Sequence, residues 1–141
     1  MCYTVEDTTT KGGTVTRDER QRKAFSRIPM ERRAHRCYEL AGRYLLEYDP
    51  SAVLVHGEVH PVVDHAFVES TVDHAWIEYD AGRRVYDPVE DFDGPVSEYI
   101  ALRAARPIMK YDAKEAAQQF CTSRFWGPWW RSDTVKSKGA L

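Results

Sequence analysis

A cysteine, a histidine and an aspartate follow one another along this chain in an order that could support nucleophilic chemistry. Cys37 lies in a stretch with helical periodicity, His74 begins one predicted strand, and Asp87 ends the next. An antiparallel strand pair would place His74 beside Asp87, and a carboxylate fixes the tautomer of an imidazole and stabilises its charged form. A cysteine paired with such an imidazole can form the thiolate, which is the reactive species. These residue types therefore predict a thiol nucleophile, a base and a group that orients the base.

The two strands are predicted from residues 73–88, which have the pattern of a β-hairpin. Strand-forming side chains occupy both arms, and Asp80-Ala81-Gly82 between them has turn chemistry, with Gly82 able to take φ > 0. Pro88 closes the second strand, because it has no N–H to continue the ladder.

His65 is a rival to His74 as the base. Both histidines stand in an Asp-His-Ala sequence. We favour His74, because its strand leads directly into the strand that ends at Asp87.

The helix that would position Cys37 is predicted from an apolar stripe. Apolar side chains recur at helical spacing from residue 37 to residue 48, and the pattern ends at Asp49-Pro50. Ala34 and Met30 continue the stripe backwards, so the helix could begin as early as Met30. A helix N-terminus stabilises a thiolate, whereas a position two turns inside does not. The start of the helix therefore remains open.

The rest of the chain predicts further strands and helices. Val53-Leu54-Val55 and residues 62–68 have strand patterns, and Gly94-Pro95 marks a turn before a helix at residues 97–105. Asp112-Ala113-Lys114-Glu115 has the form of a capping box at the start of another helix.

Together these elements predict an α+β fold. An N-terminal helix bearing Cys37 would pack on a small antiparallel sheet, with C-terminal helices following. The chain has 141 residues, enough for one domain with its own core. We expect a single domain over residues 1–141, with a flexible arm at 1–16, a catalytic core at 30–90, and C-terminal helices with an aromatic segment at 95–130.

The net charge and the apolar pattern of the chain limit the classes of partner that we expect. The net charge of -2 gives no reason to expect a nucleic-acid or membrane partner, and no apolar run approaches membrane-spanning length. Residues 58–93 hold ten Asp and Glu against two Arg. This acidic stretch could face a basic substrate, although solvated surface positions explain it more simply.

The three cysteines, Cys2, Cys37 and Cys121, have unrelated spacings. They form neither a disulfide framework nor a CxxC metal clip, and the N-terminus lacks the hydrophobic segment of a signal peptide. We expect a reducing, cytoplasmic location and no cofactor.

Four segments resemble a known superfamily. They are Arg36-Cys37-Tyr38-Glu39-Leu40-Ala41, Val55-His56-Gly57-Glu58-Val59, His74-Ala75-Trp76-Ile77-Glu78 and Val85-Tyr86-Asp87-Pro88. In this order they are similar to the papain-like and transglutaminase-like cysteine enzymes, specifically their small bacterial and phage-type members. The resemblance implies that Cys37 is the nucleophile, His74 the base and acid, and Asp87 the orienter.

The resemblance also implies a second oxyanion donor beside the Cys37 N–H. No Gln stands at the matching place before Cys37. His35, Tyr38 and Gln21 are candidates, so this donor is unassigned.

The resulting functional prediction is a cysteine-dependent hydrolase or acyltransferase. Cys37 would attack the carbonyl carbon of an amide or peptide bond, and His74 would protonate the leaving amine. The thioacyl intermediate would pass to water or to an amine. A peptide or protein is the expected substrate.

A metal site is a competing interpretation. Histidines and aspartates are concentrated between residues 56 and 74: His56, His60, Asp64, His65, Asp73 and His74. His56-Gly57-Glu58 matches the His-x-Glu of zinc deaminases, but the Pro-Cys-x-x-Cys partner is missing. His56 and His60 would share a face only of a helix, which Gly57 and Pro61 disfavour.

A third interpretation is a catalytically inactive module of the same superfamily that binds a protein partner. Its anchor would be the aromatic segment from Trp126 to Trp130, flanked by Arg124 and Arg131. In the alternative, these tryptophans close over the core or over the active-site groove.

Overall fold

A computed structural model of the chain describes residues 27–33, 35–60, 62–63, 66–67 and 70–130. Its helices are α1 (Met30–Arg33), α2 (Cys37–Arg43), α3 (Val96–Arg103) and α4 (Ala113–Ser123), and a π-helical segment (Tyr44–Tyr48) continues α2. Its strands are β1 (Val53–Val59), β2 (Val62–Val63), β3 (Ala66–Phe67), β4 (Val72–Tyr79), β5 (Arg84–Asp87), β6 (Phe92–Pro95) and β7 (Arg106–Tyr111). The predicted arm at residues 1–16 lies outside the described residues.

Five strands form an antiparallel sheet in the order β6-β5-β4-β1-β7. The strand that contains His74, β4, lies at the centre, between β5 and β1. The short strands β2 and β3 pair with each other in a separate two-stranded sheet. Helices packed on an antiparallel sheet confirm the predicted α+β fold, with α2 before the sheet and α3 and α4 towards the C-terminus.

The predicted hairpin is β4 and β5. Ile77 lies opposite Tyr86 in its ladder. Asp80, Ala81 and Gly82 all take positive φ, at 54°, 57° and 80°. Successive residues with φ > 0 match the twist of hairpin strands, and only the last of them is the glycine that favours this conformation.

The helix that carries Cys37 begins at Cys37 itself. α1 ends at Arg33, and His35 then takes φ 66°, which no α-helix can contain. Arg36 follows as the N-terminal flanking residue with φ −115°. A continuous helix from Met30, the alternative that the apolar stripe left open, is therefore wrong, because a left-handed residue interrupts it. The predicted end is confirmed, since the π-helical segment stops at Tyr48.

The sequence did not predict the full extent of the sheet. β1 runs on through His56-Gly57-Glu58 to Val59, whereas the strand pattern in the sequence ends at Val55. Gly94-Pro95 lies in β6 rather than in a turn, and β7 was not predicted. β6 and β7 are the edge strands, and edge strands tolerate proline because one row of their N–H groups needs no partner.

Close packing around position 57 explains why β1 contains a glycine there. A Cβ at Gly57 would lie 2.7 Å from the ring of Trp76 and 3.0 Å from the Cα of Pro107. The ladder between β1 and β7 is irregular at His56 and Gly57. The glycine therefore allows β7 and Trp76 to approach β1 closely.

The two faces of the sheet are covered by different elements. One face packs under α2, the π-helical segment and α4, and its core includes Leu40, Leu45, Leu54, Ile77, Tyr86 and Ala116. The other face packs under α3, and its core consists of Val55, Val59, Trp76, Val85, Tyr99 and Ala105.

The predicted capping box starts α4, since Asp112 accepts from the Glu115 N–H at 2.8 Å and Glu115 accepts from the Asp112 N–H at 3.0 Å.

The aromatic segment after α4 packs against the first face. Trp129 is buried in its core, and Trp126 stacks on Phe120 with ring centroids 4.1 Å apart. This is the arrangement expected if the tryptophans close over the core. None of the helices in the described part of the chain is long and apolar enough to cross a membrane.

Candidate active site

His74 and Asp87 meet on the face of the sheet that α3 covers. Glu78 lies opposite Val85 in the β4–β5 ladder. Because side chains alternate along a strand, His74 and Asp87 point to the same face as this pair. The Nε2 atom of His74 lies 2.7 Å from Oδ2 of Asp87. The prediction that the hairpin brings these side chains together is confirmed.

Both carboxylate oxygens of Asp87 accept hydrogen bonds in a fully buried position. Oδ1 accepts from the backbone N–H groups of Val89 at 3.0 Å and Glu90 at 3.2 Å. Oδ2 accepts from the Tyr99 hydroxyl at 2.6 Å as well as from His74. The turn after β5 thus holds one oxygen, while α3 and β4 hold the other.

These contacts determine the charge of Asp87 and the tautomer of His74. Burial raises the pKa of the Asp87 carboxyl, but the charge and hydrogen bond of His74 and the other donors outweigh burial and hold this pKa below its ordinary value. Asp87 is therefore ionised at neutral pH and can only accept. Nε2 of His74 must carry the shared proton, which leaves Nδ1 for another partner.

Cys37 supplies that partner. Burial lowers the pKa of His74, but the charge and hydrogen bond of Asp87, together with a hydrogen bond to Cys37, raise it to about 10. Because Nε2 is bonded to Asp87, we assign the Cys37 contact to Nδ1. Cys37, His74 and Asp87 therefore interact in series, with the imidazole in the middle.

Cys37 is the first residue of α2, and its side chain is 8% exposed. The backbone N–H groups of a first helical turn have no partners within the helix, and the helix dipole favours negative charge there. The helical path continues without interruption through the π-helical segment to Tyr48. Cys37 therefore lies at the N-terminus of its helix, where the early-start alternative would not have placed it.

An aromatic layer surrounds the His74 end of the series. Trp76 stacks on His74 with ring centroids 6.2 Å apart, and Tyr99 lies 5.4 Å from Trp76. Phe92 contacts the other side of Tyr99 at 5.1 Å. These rings exclude water from the imidazole–carboxylate pair, and charge interactions are stronger where water is excluded.

A buried arginine ties the segment before Cys37 to the turn after Asp87. Arg33 is 2% exposed, and its Nη1 donates to the Pro88 carbonyl at 3.0 Å and lies 2.6 Å from Oδ1 of Asp91. The Arg33 side chain thus joins the segment before Cys37 directly to the turn after Asp87.

Comparison of the chain with models of protein families, with curated proteins and with solved structures gives no match. The interpretation of the site therefore rests on its own geometry and on the sequence resemblance.

The acidic stretch is extensively paired with basic side chains. Its ion pairs are Glu58–Arg106, Glu78–Lys110, Asp80–Arg83, Glu90–Arg103, Asp91–Arg33 and Asp93–Arg84. Most of these partners come from other parts of the chain. The acidic residues thus have a structural explanation that does not need a basic substrate.

Two of the histidines proposed for a metal site, His56 and His74, point to opposite faces of the sheet. His56 lies opposite Ala75 in the β1–β4 ladder, so it points to the face opposite His74. Among the residues that the structure describes, no group of three His, Cys, Asp or Glu side chains could hold a metal ion. Asp64 and His65 lie outside that part of the chain.

The oxyanion candidates remain unassigned. His35 is exposed, and the Tyr38 ring lies edge-on to His56 at 4.8 Å. Gln21 lies outside the described residues, as does Cys2. Cys121 is a half-buried free thiol on α4.

Arg33 and Tyr99 are the residues near the site that the sequence analysis missed. Tyr99 lies twelve residues beyond Asp87. Nothing in the spacing distinguishes it from a core tyrosine, because only the packing of α3 aims its hydroxyl at Asp87. Arg33 lies in a basic stretch whose other members suit a solvated surface, so its burial gave no signal.

Proposed function

We propose that this protein is a cysteine-dependent hydrolase or acyltransferase that acts on an amide or peptide bond. In this proposal Cys37 is the nucleophile, His74 is the base and acid, and Asp87 orients His74. The observation that carries the proposal is the buried His74–Asp87 pair, 2.7 Å between Nε2 and Oδ2, in contact with Cys37. The resemblance to papain-like and transglutaminase-like enzymes supports the same assignment.

Acylation begins with a proton on His74. The raised pKa of His74 favours the imidazolium beside a Cys37 thiolate. The thiolate attacks the carbonyl carbon, and the carbonyl π electrons move to oxygen. When the tetrahedral intermediate collapses, the C–N bond breaks and Nδ1 of His74 gives its proton to the leaving amine. The products of this half-reaction are a thioester on Cys37 and a free amine.

Deacylation reverses these roles. The neutral imidazole takes a proton from water or from an acceptor amine as that nucleophile attacks the thioester carbonyl. Collapse breaks the C–S bond and regenerates the thiolate–imidazolium pair. Water as the acceptor gives a hydrolase, and an amine gives an acyltransferase.

Asp87 keeps the His74 imidazole in one orientation through both half-reactions. It remains ionised, since its lowered pKa lies far below neutral pH. Its bond to Nε2 leaves only Nδ1 to exchange protons with Cys37 and the substrate.

The substrate class in this proposal is a peptide or protein. A thiol nucleophile must stay reduced, so the cytoplasm is the proposed location, and Cys37 and Cys121 are both free thiols in the structure.

The proposal predicts selective labelling of one cysteine. Iodoacetamide at pH 7 should alkylate Cys37 at least about tenfold faster than Cys121 or Cys2, because the thiolate is the reactive species and Cys37 has an imidazole partner. Rates are measured by peptide mass mapping over a time course. His74→Ala should remove the selectivity.

His65→Ala is the matched control, and it should leave the labelling of Cys37 unchanged. Equal labelling of all three cysteines in the unmodified protein would contradict the nucleophile assignment. Loss of selectivity in His65→Ala but not in His74→Ala would transfer the base role to His65.

A further inference from the structure

Tyr99 makes a contact that a three-residue mechanism does not use. Its hydroxyl lies 2.6 Å from Oδ2 of Asp87, the same oxygen that bonds His74. The ring is buried between Trp76 and Phe92, so the side chain is held from both sides. α3 thereby places the Tyr99 hydroxyl among these aromatic rings and beside Asp87.

We propose that Tyr99 is a positioning residue that keeps Asp87 ionised and holds its Oδ2 against His74. This role rests on the proposed function, because it acts through Asp87 on the Cys37–His74 pair.

The chemistry of the contact allows only one direction of donation. A carboxylate without a proton can only accept, so the Tyr99 hydroxyl donates to Oδ2. A fully buried carboxylate needs such donors, because burial without them favours its protonated form. A hydroxyl-to-carboxylate bond is charge-assisted and therefore among the stronger hydrogen bonds.

Other ionisable side chains lie near this contact. His74 faces Asp87 from β4, and Cys37, from α2, faces His74. Arg103, from the same helix as Tyr99, is engaged by Glu90 at 3.1 Å. Burial and the charge of Asp87 raise the pKa of Tyr99, so the hydroxyl keeps its proton to donate.

The two oxygens of Asp87 are also held by different parts of the fold. The backbone N–H groups of Val89 and Glu90 fix Oδ1 from the turn after β5. Without Tyr99, the position of Oδ2 would depend on His74 alone. Since the carboxylate exists to orient His74, an independent contact on Oδ2 is what makes that orientation firm.

Tyr99→Phe tests the proposal, because it keeps the buried ring and removes only the hydroxyl. The titration of the Asp87 carboxyl is followed by its 13C chemical shift from pH 2 to pH 7, and the rate of Cys37 alkylation by iodoacetamide is measured at pH 7. Loss of one donor should let Asp87 take up a proton at higher pH, so the midpoint of the Asp87 titration profile should rise by about one pH unit.

Tyr79→Phe is the matched control. Its hydroxyl also bonds a carboxylate, Asp93, but this contact is exposed. The profile of this variant should coincide with that of the unmodified protein. If Tyr99 had only a structural role, Tyr99→Phe would lower the melting temperature without moving the midpoint.

The outcomes separate the two proposals. Fast labelling of Cys37 with an unmoved midpoint in Tyr99→Phe would overturn the role of Tyr99 and leave the proposed function standing. An unreactive Cys37 in the unmodified protein would overturn the proposed function and the role of Tyr99 with it.

A measurement on the unmodified protein covers the case in which Tyr99→Phe does not fold. The buried hydroxyl proton of Tyr99, bonded to Oδ2, should exchange slowly with solvent and give an observable NMR resonance. A rapidly exchanging hydroxyl would overturn the proposal.

Discussion

Two histidines on neighbouring strands of this sheet have opposite environments. His74 has a carboxylate partner, which outweighs its burial and raises its pKa to about 10. His56 is fully buried among the rings of Tyr38, Tyr111 and Trp129, and neither ring nitrogen has a hydrogen-bond partner among the described residues. Burial therefore lowers the pKa of His56 to about 3. The Asp87 carboxylate beside His74 therefore accounts for most of the difference in pKa between the two histidines.

The two histidines affect stability at different pH. The folded-state pKa of His74 is raised, so its contribution is fully present below the unfolded value of about 6.5 and is lost as pH rises towards 10. The folded-state pKa of His56 is lowered. Its neutral form is favourable above about 6.5, and stability is lost as pH falls from there towards 3.

His56→Phe should remove the acid-side loss that His56 causes. Phe keeps an aromatic ring among the same neighbours and cannot take up a proton in the unfolded state. The difference in unfolding free energy between variant and unmodified protein should grow in favour of the variant by up to about 1.4 kcal/mol per pH unit below 6.5. Urea denaturation at pH 7, 6 and 5 measures it.

His35→Asn is the control for this prediction, because His35 is exposed. It removes a histidine without changing the surroundings of His56, so a change with pH that both variants share would not come from the burial of His56. A constant difference for His56→Phe would show that His56 is not held neutral by burial.

At the scale of elements, the site depends on where α2 starts and on what fixes the segment before it. His35 breaks the helical path, so α2 starts at Cys37. Arg33 fixes the preceding turn to Pro88 and Asp91, beside the loop that holds Asp87. The position of Cys37 relative to His74 thus depends on a long-range contact as well as on the helix.

Arg33→Met should therefore destabilise the fold and slow the chemistry together. Removal of the buried guanidinium leaves the Pro88 carbonyl without this donor, which should cost about 1–3 kcal/mol in unfolding free energy. Labelling of Cys37 by iodoacetamide should slow, because the preceding segment is no longer fixed. Urea denaturation and the labelling rate are measured on the same variant.

Arg84→Met is the comparison, since the Arg84–Asp93 pair lies on the surface, 40% and 32% exposed. Surface pairs contribute little, so this variant should change stability by less than about 1 kcal/mol. Equal effects of the two substitutions would show that the Arg33 contact does not fix the segment.

The elements that the sequence predicted well were those with strong local signals. The hairpin at 73–88 has alternating strand formers and turn residues, and the start of α4 has a capping box. β6 and β7 were missed because they contain Pro95 and Pro107, which suit strands only at the edge of a sheet. The strand pattern in the sequence ended before Gly57. The structure shows why a glycine is needed within β1, since Trp76 and Pro107 approach it closely.

At the scale of the whole molecule, the fold brings together residues that are far apart in sequence. Cys37 comes from the start of α2, His74 and Asp87 come from adjacent strands, and Tyr99 comes from α3. Local patterns predicted His74 and Asp87 as neighbours because one hairpin joins them. Tyr99 and Arg33 could not be predicted, because their roles depend on how α3 and α1 pack.

The most direct test of the central claim is to trap the thioacyl intermediate with an activated ester. Mixing the protein with p-nitrophenyl acetate should give a burst of about one equivalent of nitrophenolate, with the acetyl group located on Cys37 by peptide mass mapping and removed by hydroxylamine. His74→Ala should abolish the burst. An acetyl group on another residue, no burst, or an equal burst in His74→Ala would contradict a nucleophilic Cys37 activated by His74.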